Sequence, residues 1–169
     1  MICKRSIVQR CAAAAVAAVL ALGVTPAAVA QRVADIEITQ AQALPSIPGA
    51  RNGGGFLTVV NHGTADDRIV AASSPACGHV ELHTMRMEDN VMRMREVSEI
   101  PLPAGKTLRM QPGSGYHLML MDLKQPLTVG AVIPVDVKFA RGGEVHVDLK
   151  VEPRDKIGGA AGAAGHAMH

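Results

Sequence analysis

The stretch HVELHTMRMEDNVMRMREV, His79 to Val97, decides the fold. It holds two alternating runs divided by Asp89-Asn90. Strict alternation is the pattern of a half-buried strand. Asp and Asn both tolerate positive φ, so the pair predicts a two-residue hairpin turn. With that turn Glu88 pairs with Val91, Met87 with Met92, Met85 with Met94 and His83 with Glu96. Direct partners point to one face, and faces alternate along each strand. His83, Met85, Met87, Met92 and Met94 then share a face. A three-residue turn would pair Met85 with Arg93 and scatter them.

Outward from this hairpin the chain reads as strands separated by Gly/Pro-rich turns. VADIEITQAQA (33–43) alternates and predicts a first strand. LPSIPGARNGGG reads as a loop with two prolines and a glycine cluster. FLTVVNHG predicts a strand ending at Asn61, and DRIVAASSPACG a further strand running into a turn. IPLPAGKTLRMQPGSGYHLMLMDL predicts two strands joined by Pro112-Gly113. In HLMLMDL (117–123), Leu118 and Leu120 are expected in the core, while His117, Met119 and Met121 face out. VIPVDVKFA and EVHVDLKVE flank Arg141-Gly142-Gly143 and predict a closing hairpin, with Val135, Val137 and Phe139 facing Val145, Val147, Leu149 and Val151. No helical period is evident. Many short strands with regular turns imply an all-β antiparallel sandwich or barrel.

The folded domain is expected over 31–152. Lys4, Arg5 and Arg10 precede the apolar run CAAAAVAAVLALGV, and Ala28 and Ala30 occupy A-x-A positions. These features predict a signal peptide over 1–30, cleaved after Ala30, and an exported protein with no stable membrane insertion afterwards. Cys11 is not preceded by Leu-Ala-Gly, so no lipid anchor is expected there. Three of the 17 Lys+Arg leave with the signal, so 14 remain against 15 Asp+Glu. Such a near-neutral chain gives no reason to expect a nucleic-acid partner. Cys77 is then the one cysteine left, which excludes an internal disulfide. From Pro153 the alternation stops, and 153–169 reads as a flexible Gly/Ala-rich tail ending in His166, Met168 and His169.

Seven of the nine methionines lie between Met85 and Met121, in a chain whose other strands use Val and Leu. Methionine is adaptable core filler, and any one of them could be that. His83, Met94, His117 and Met119 together suggest chemistry. Imidazole plus thioether is a soft donor set that suits Cu(I). It suits neither Zn(II), nor Ca(II) and Mg(II), which want oxygen.

The segment VELHTMRMEDNVMRMREV…IPLPAGKTLRMQPGSGYHLMLMDLKQPL resembles the PCuAC family of periplasmic copper chaperones. That family carries a His-x10-Met-x21-His-x-Met signature. His83 and Met94 have the first spacing, and His117 and Met119 form the His-x-Met. The middle gap is twenty-two residues, the extra one falling in QPGSGYH. The resemblance covers about 33–152. It implies a cupredoxin-like antiparallel sandwich with Greek-key-type connections. It further implies Cu(I) held by His83, Met94, His117 and Met119. Delivery would be toward the Cu(A) centre of cytochrome c oxidase, directly to the copper subunit or with a Sco-type thiol protein. No enzymatic reaction is implied. The family's aromatic-rich DAWAR start is replaced here by EITQAQA.

Other residues carry competing readings. Met85, Met87, Met92 and Met121 share the metal face by parity and are expected as a second layer or water-excluding rim. Cys77 and His79 in ACGHVELH invite the alternative of a blue-copper electron carrier, with Cys77 as thiolate ligand. The plainer reading makes Cys77 a buried thiol and His79 a solvated residue. Met110 is expected in the core, His146 facing solvent and His62 in a turn. His166, Met168 and His169 offer a tethered site for Cu(II) or Cu(I).

Overall fold

The computed structural model describes residues 31–33, 35–113 and 115–157. The expected signal peptide, its cleavage point and the His166, Met168 and His169 cluster lie outside the described residues. The elements in chain order are β1 (Gln31–Val33), β2 (Ile36–Ala43), β3 (Gly53–Asn61), β4 (Asp67–Ser73), β5 (His79–Glu88), β6 (Val91–Glu96), β7 (Ile100–Leu102), β8 (Thr107–Arg109), β9 (Gly115–Met121), β10 (Val132–Phe139) and β11 (Gly143–Val151). One 3-10 turn, Arg154–Lys156, follows β11. Among the described residues no helix is long and apolar enough to cross a membrane.

The strands run in the order β6-β5-β9-β3-β2-β11-β10-β4-β7, with β1 added on β2 and β8 on β3. Among the described residues every strand pairing is antiparallel except β11 with β2, which is parallel through Lys150–Gln42 and Val151–Ala43. This one parallel seam turns the antiparallel sheet expected from sequence into a mixed one. The path closes over a single core as a cupredoxin-like β-sandwich. Leu82 of β5, Leu118 and Leu120 of β9, Val135 and Val137 of β10, and Val147 and Leu149 of β11 belong to that one buried cluster.

The β5–β6 hairpin has the register that alternation predicts. Met85 faces Met94, Met87 faces Met92 and His83 faces Glu96. Asp89 at φ 50° and Asn90 at φ 63° make the two-residue turn, whose twist matches that of the flanking strands. The closing hairpin also follows its pattern, with Val135 opposite Val147 and Val137 opposite Val145, all four buried.

Several expectations are corrected. The glycine cluster is strand: Gly53 to Gly55 pair with Leu120, Met119 and Leu118 of β9. A Cβ on Gly55 would come within 2.9 Å of Leu149 Cδ1, so glycine here reflects close approach across the core rather than a turn. The first predicted strand is two, β1 and β2, folded on each other. The segment between Ile100 and Met121 holds three strands rather than two, because β7 leaves to pair with β4 while β8 pairs with β3. The described fold also runs past Glu152. Pro153 to Ile157 continue the domain, and Ile157 is buried. His117 is buried at 4% exposure, although it lies on the opposite face from Leu118 and Leu120. The Phe56 and His83 rings cover it, with centroids 6.3 and 5.6 Å away.

The packing separates structural from non-structural apolar residues. Leu118 has no exposure, whereas Met92 on β6 is 46% exposed. Leu118→Ala is expected to cost about 2–5 kcal/mol. Met92→Ala should move stability by no more than about 0.5 kcal/mol. Urea denaturation of the two variants measures this contrast.

Candidate metal centre

The site is assembled by cross-strand rows on the outer face of β6, β5, β9 and β3. One row runs Glu96–His83–His117, the next Met94–Met85–Gly115, and on the other side Glu81–Met119–Gly54. His83 and His117 are direct partners, their rings edge to face at 61°. Gly115 leaves a gap in the methionine row: a Cβ there would meet nothing within 4 Å. Its φ of +67° also favours glycine. β9 starts at this residue with His117 still opposite His83, so the longer Gln111–Tyr116 segment leaves that pairing in place.

A cavity of about 170 Å³ opens on this face. Met94, His117 and Met119 line it, three of the four residues singled out by spacing, together with Met85. His83 stands beside His117 rather than in the cavity wall. Met85, expected in a second layer, lies on the cavity itself. Met92 and Met121 do not line it. Met92 is out at the hairpin end, and Met121 pairs with His79 farther along β9. Arg154, from the segment read as tail, and Phe56 also line it.

The imidazoles are oriented. His83 Nε2 donates to Glu81 Oε2 at 2.8 Å, and His83 Nδ1 is buried with no hydrogen-bond partner. His117 Nε2 is likewise buried and unpartnered, while its ring is hydrogen-bonded to the Gly115 backbone. Two buried ring nitrogens thus hold free lone pairs on a face rich in thioethers. A buried polar atom left without a partner costs about 1–3 kcal/mol, a cost that a bound cation removes. Among the described residues no three His, Cys, Asp or Glu side chains group to hold a metal. The donors available are therefore imidazole and thioether, which fit a soft monovalent ion.

Glu81 is the residue that sequence reading missed. Its carboxylate accepts from His83 and, at 3.0 Å through the other oxygen, from His79. Those two hydrogen bonds, first His83 and then His79, hold its carboxyl below the usual range. A carboxylate on the far nitrogen of a ligating His fixes its tautomer and raises its basicity. The signal was legible, since in HVELH the three residues share one face by parity. His117 is pushed below the ordinary histidine range chiefly by burial, then by His83, against the opposing Gly115 hydrogen bond.

The remaining candidates fall away from the centre. Cys77 is buried in the core, its thiol directed to the carbonyls of Ser74 and His79, and burial raises its pKa. It is not among the residues that line the cavity with Met94, His117 and Met119. A buried thiol whose pKa is raised does not favour the thiolate ligand that the blue-copper alternative needs. His79 is exposed and paired with Glu81. Met110 is in the core. His146 is exposed, its pKa raised by Asp136, and His62 pairs with Glu37.

Fold and site together define a PCuAC-type sandwich, with the buried His117 and the part-buried His83 set among methionines on one outer face. Three solved structures share the fold. The copper-bound PCuAC domain from PmoF2 superposes with a TM-score of 0.64 at 25% identity, covering 74% of this chain and 98% of that one. Solution structures of DR1885 from Deinococcus radiodurans give 0.54 at 27% for the Cu(I) form, over 79% and 86% of the two chains. The apo form gives 0.55 at 24%, over 87% and 97%. The chain belongs to the LpqE-like family, whose model, described as "Putative lipoprotein LpqE-like", matches residues 36–151. A curated relative, "Putative lipoprotein Lxx21020" of Leifsonia xyli subsp. xyli, is 37% identical over 98 residues. That match covers 57% of this chain, which spans 58% of the relative's length.

Two predictions follow from the histidine environment. Glu81→Ala should weaken metal binding about 10- to 100-fold without unfolding the domain, measured by chelator competition alongside circular dichroism. The second concerns the metal-free protein. Unfolded histidine takes up its proton near pH 6.5, and folded His117 does so only at lower pH. The unfolded state therefore binds more protons between those values, and stability falls as pH drops through that window. Thermal melts between about pH 7 and 5.5 should show the loss, reduced in His117→Leu.

Proposed function

We propose that this chain is a periplasmic copper chaperone. It binds Cu(I) through His83, Met94, His117 and Met119 and passes it toward the Cu(A) centre of cytochrome c oxidase. The acceptor is the copper subunit of the oxidase or a Sco-type thiol protein. The observation that carries the reading is the pair of buried, unpartnered ring nitrogens, His83 Nδ1 and His117 Nε2, beside a methionine-lined cavity. The copper named in the PmoF2 and DR1885 structures supports the choice of cargo. The signal-like residues 1–30 support the compartment.

The mechanism is ligand exchange. Neutral imidazoles and thioethers hold Cu(I) without an anionic ligand that would bind it more firmly. His117 is the buried anchor, and Glu81 holds His83 through Nε2, leaving Nδ1 free of any hydrogen bond. Met94 is 46% exposed, so it is the ligand an incoming thiolate displaces first. Copper stays Cu(I) throughout, and no bond of a substrate is made or broken. Acid weakens the complex by protonating imidazoles, while thioethers do not titrate in this range. A tail site at His166, Met168 and His169 would capture Cu(II) or Cu(I) separately.

The test is anaerobic Cu(I) titration against a competing chelator. Met94→Ala combined with His117→Ala should weaken the tightest site by at least about tenfold per ligand, roughly 1.4 kcal/mol each. Unchanged affinity in the double variant would rule out this ligand set.

A further inference from the structure

The methionines at the end of the β5–β6 hairpin have no role in the fold. Met87 is 60% exposed and Met92 46%, and every residue of β6 is exposed. The opposite face of the same hairpin is an ordinary solvated surface, where Arg93 and Arg95 pair with Glu88. Exposed side chains gain little from burial, so packing does not account for thioethers on one face only.

Their register is specific. Met87 pairs with Met92, and the next pair on that face is Met85 with Met94. Val97 N donates to Leu82 O at 2.8 Å, which makes Leu82–Val97 a hydrogen-bonded pair. Because pair types alternate along an antiparallel ladder, both methionine pairs are of the non-hydrogen-bonded type. In such pairs the Cα atoms are only about 4.5 Å apart and side chains approach most closely. The two pairs are two residues apart, about 7 Å along the strand, a gap that the flexible methionine side chain can bridge.

We propose that Met87 and Met92, with Met85 or Met94 as a third thioether, form an outer Cu(I) site at the hairpin end. It is weaker than the central site because it lacks imidazole. It is also insensitive to acid, because no ligand titrates. The Met85–Met94 pair joins the two sites, so an ion can pass between them by exchanging one thioether at a time, remaining Cu(I). This site rests on the reading of Cu(I) as cargo and extends it with an exit station outside the histidine pair.

The test uses the full mature chain and Cu(I) alone, under anaerobic conditions, with chelator competition and methionine-methyl NMR. In the wild type the Met87 and Met92 methyls should shift only after the central site fills at pH 7, and should still shift at pH 5. Met87→Leu with Met92→Leu keeps the apolar surface and should remove one weak equivalent while leaving the tight one. His83→Ala with His117→Ala should remove the tight equivalent and leave the methyl shifts. If those methyls stay unmoved in excess Cu(I) and the double leucine variant titrates as wild type, the outer site is overturned and the central site stands. If the double alanine variant keeps its tight equivalent, the histidine assignment fails, and the outer site is still decided by its own methyl shifts. Should the leucine variant not fold, the wild-type methyl shifts alone decide.

Discussion

The register of the β5–β6 hairpin is the constraint on which the site depends. The two positive-φ residues, Asp89 and Asn90, fix which residue of β6 faces which residue of β5. A slip of one position sends every side chain to the other face. It would exchange the methionine surface for the arginine surface. With the register as it is, Met94 arrives beside Met85, next to the His83–His117 pair. The turn therefore does for the site what a metal ligand alone cannot: it delivers a third strand's donor to a point chosen by two others.

The second constraint is polarity in a buried place. Burial of His117 under Phe56 excludes water from the imidazole, which keeps it neutral and leaves its Nε2 lone pair unsatisfied. On each ring the other nitrogen is satisfied, by Glu81 for His83 and by the Gly115 backbone for His117. The fold therefore carries two unmet acceptors rather than replacing them with apolar groups, which is what a purely structural core would favour. Local inconsistency of this kind is where function is expected in an otherwise consistent fold. Arg154 adds a fixed positive charge to the cavity wall, without supplying a ligand.

Much of this was legible in the sequence. Alternation and the Asp-Asn turn gave the hairpin pairs residue by residue, and the valines of β10 and β11 gave the closing hairpin. What was not legible depends on contacts between distant segments. Gly53 to Gly55 look like a loop until Leu149 and Leu120 are seen to press against Gly55. Pro153 to Ile157 look like tail until Ile157 is buried. His117 looks outward-facing by parity alone, since parity gives the face of a strand and not what covers that face.

The central claim is that one Cu(I) is held jointly by imidazole nitrogen and thioether sulfur on this face. Copper K-edge absorption of the wild-type protein loaded with a single equivalent of Cu(I) tests it most directly. A mixed shell of nitrogen and sulfur neighbours, losing nitrogen in His83→Ala and in His117→Ala, is the predicted result. A shell of sulfur alone, or of nitrogen and oxygen alone, would contradict it.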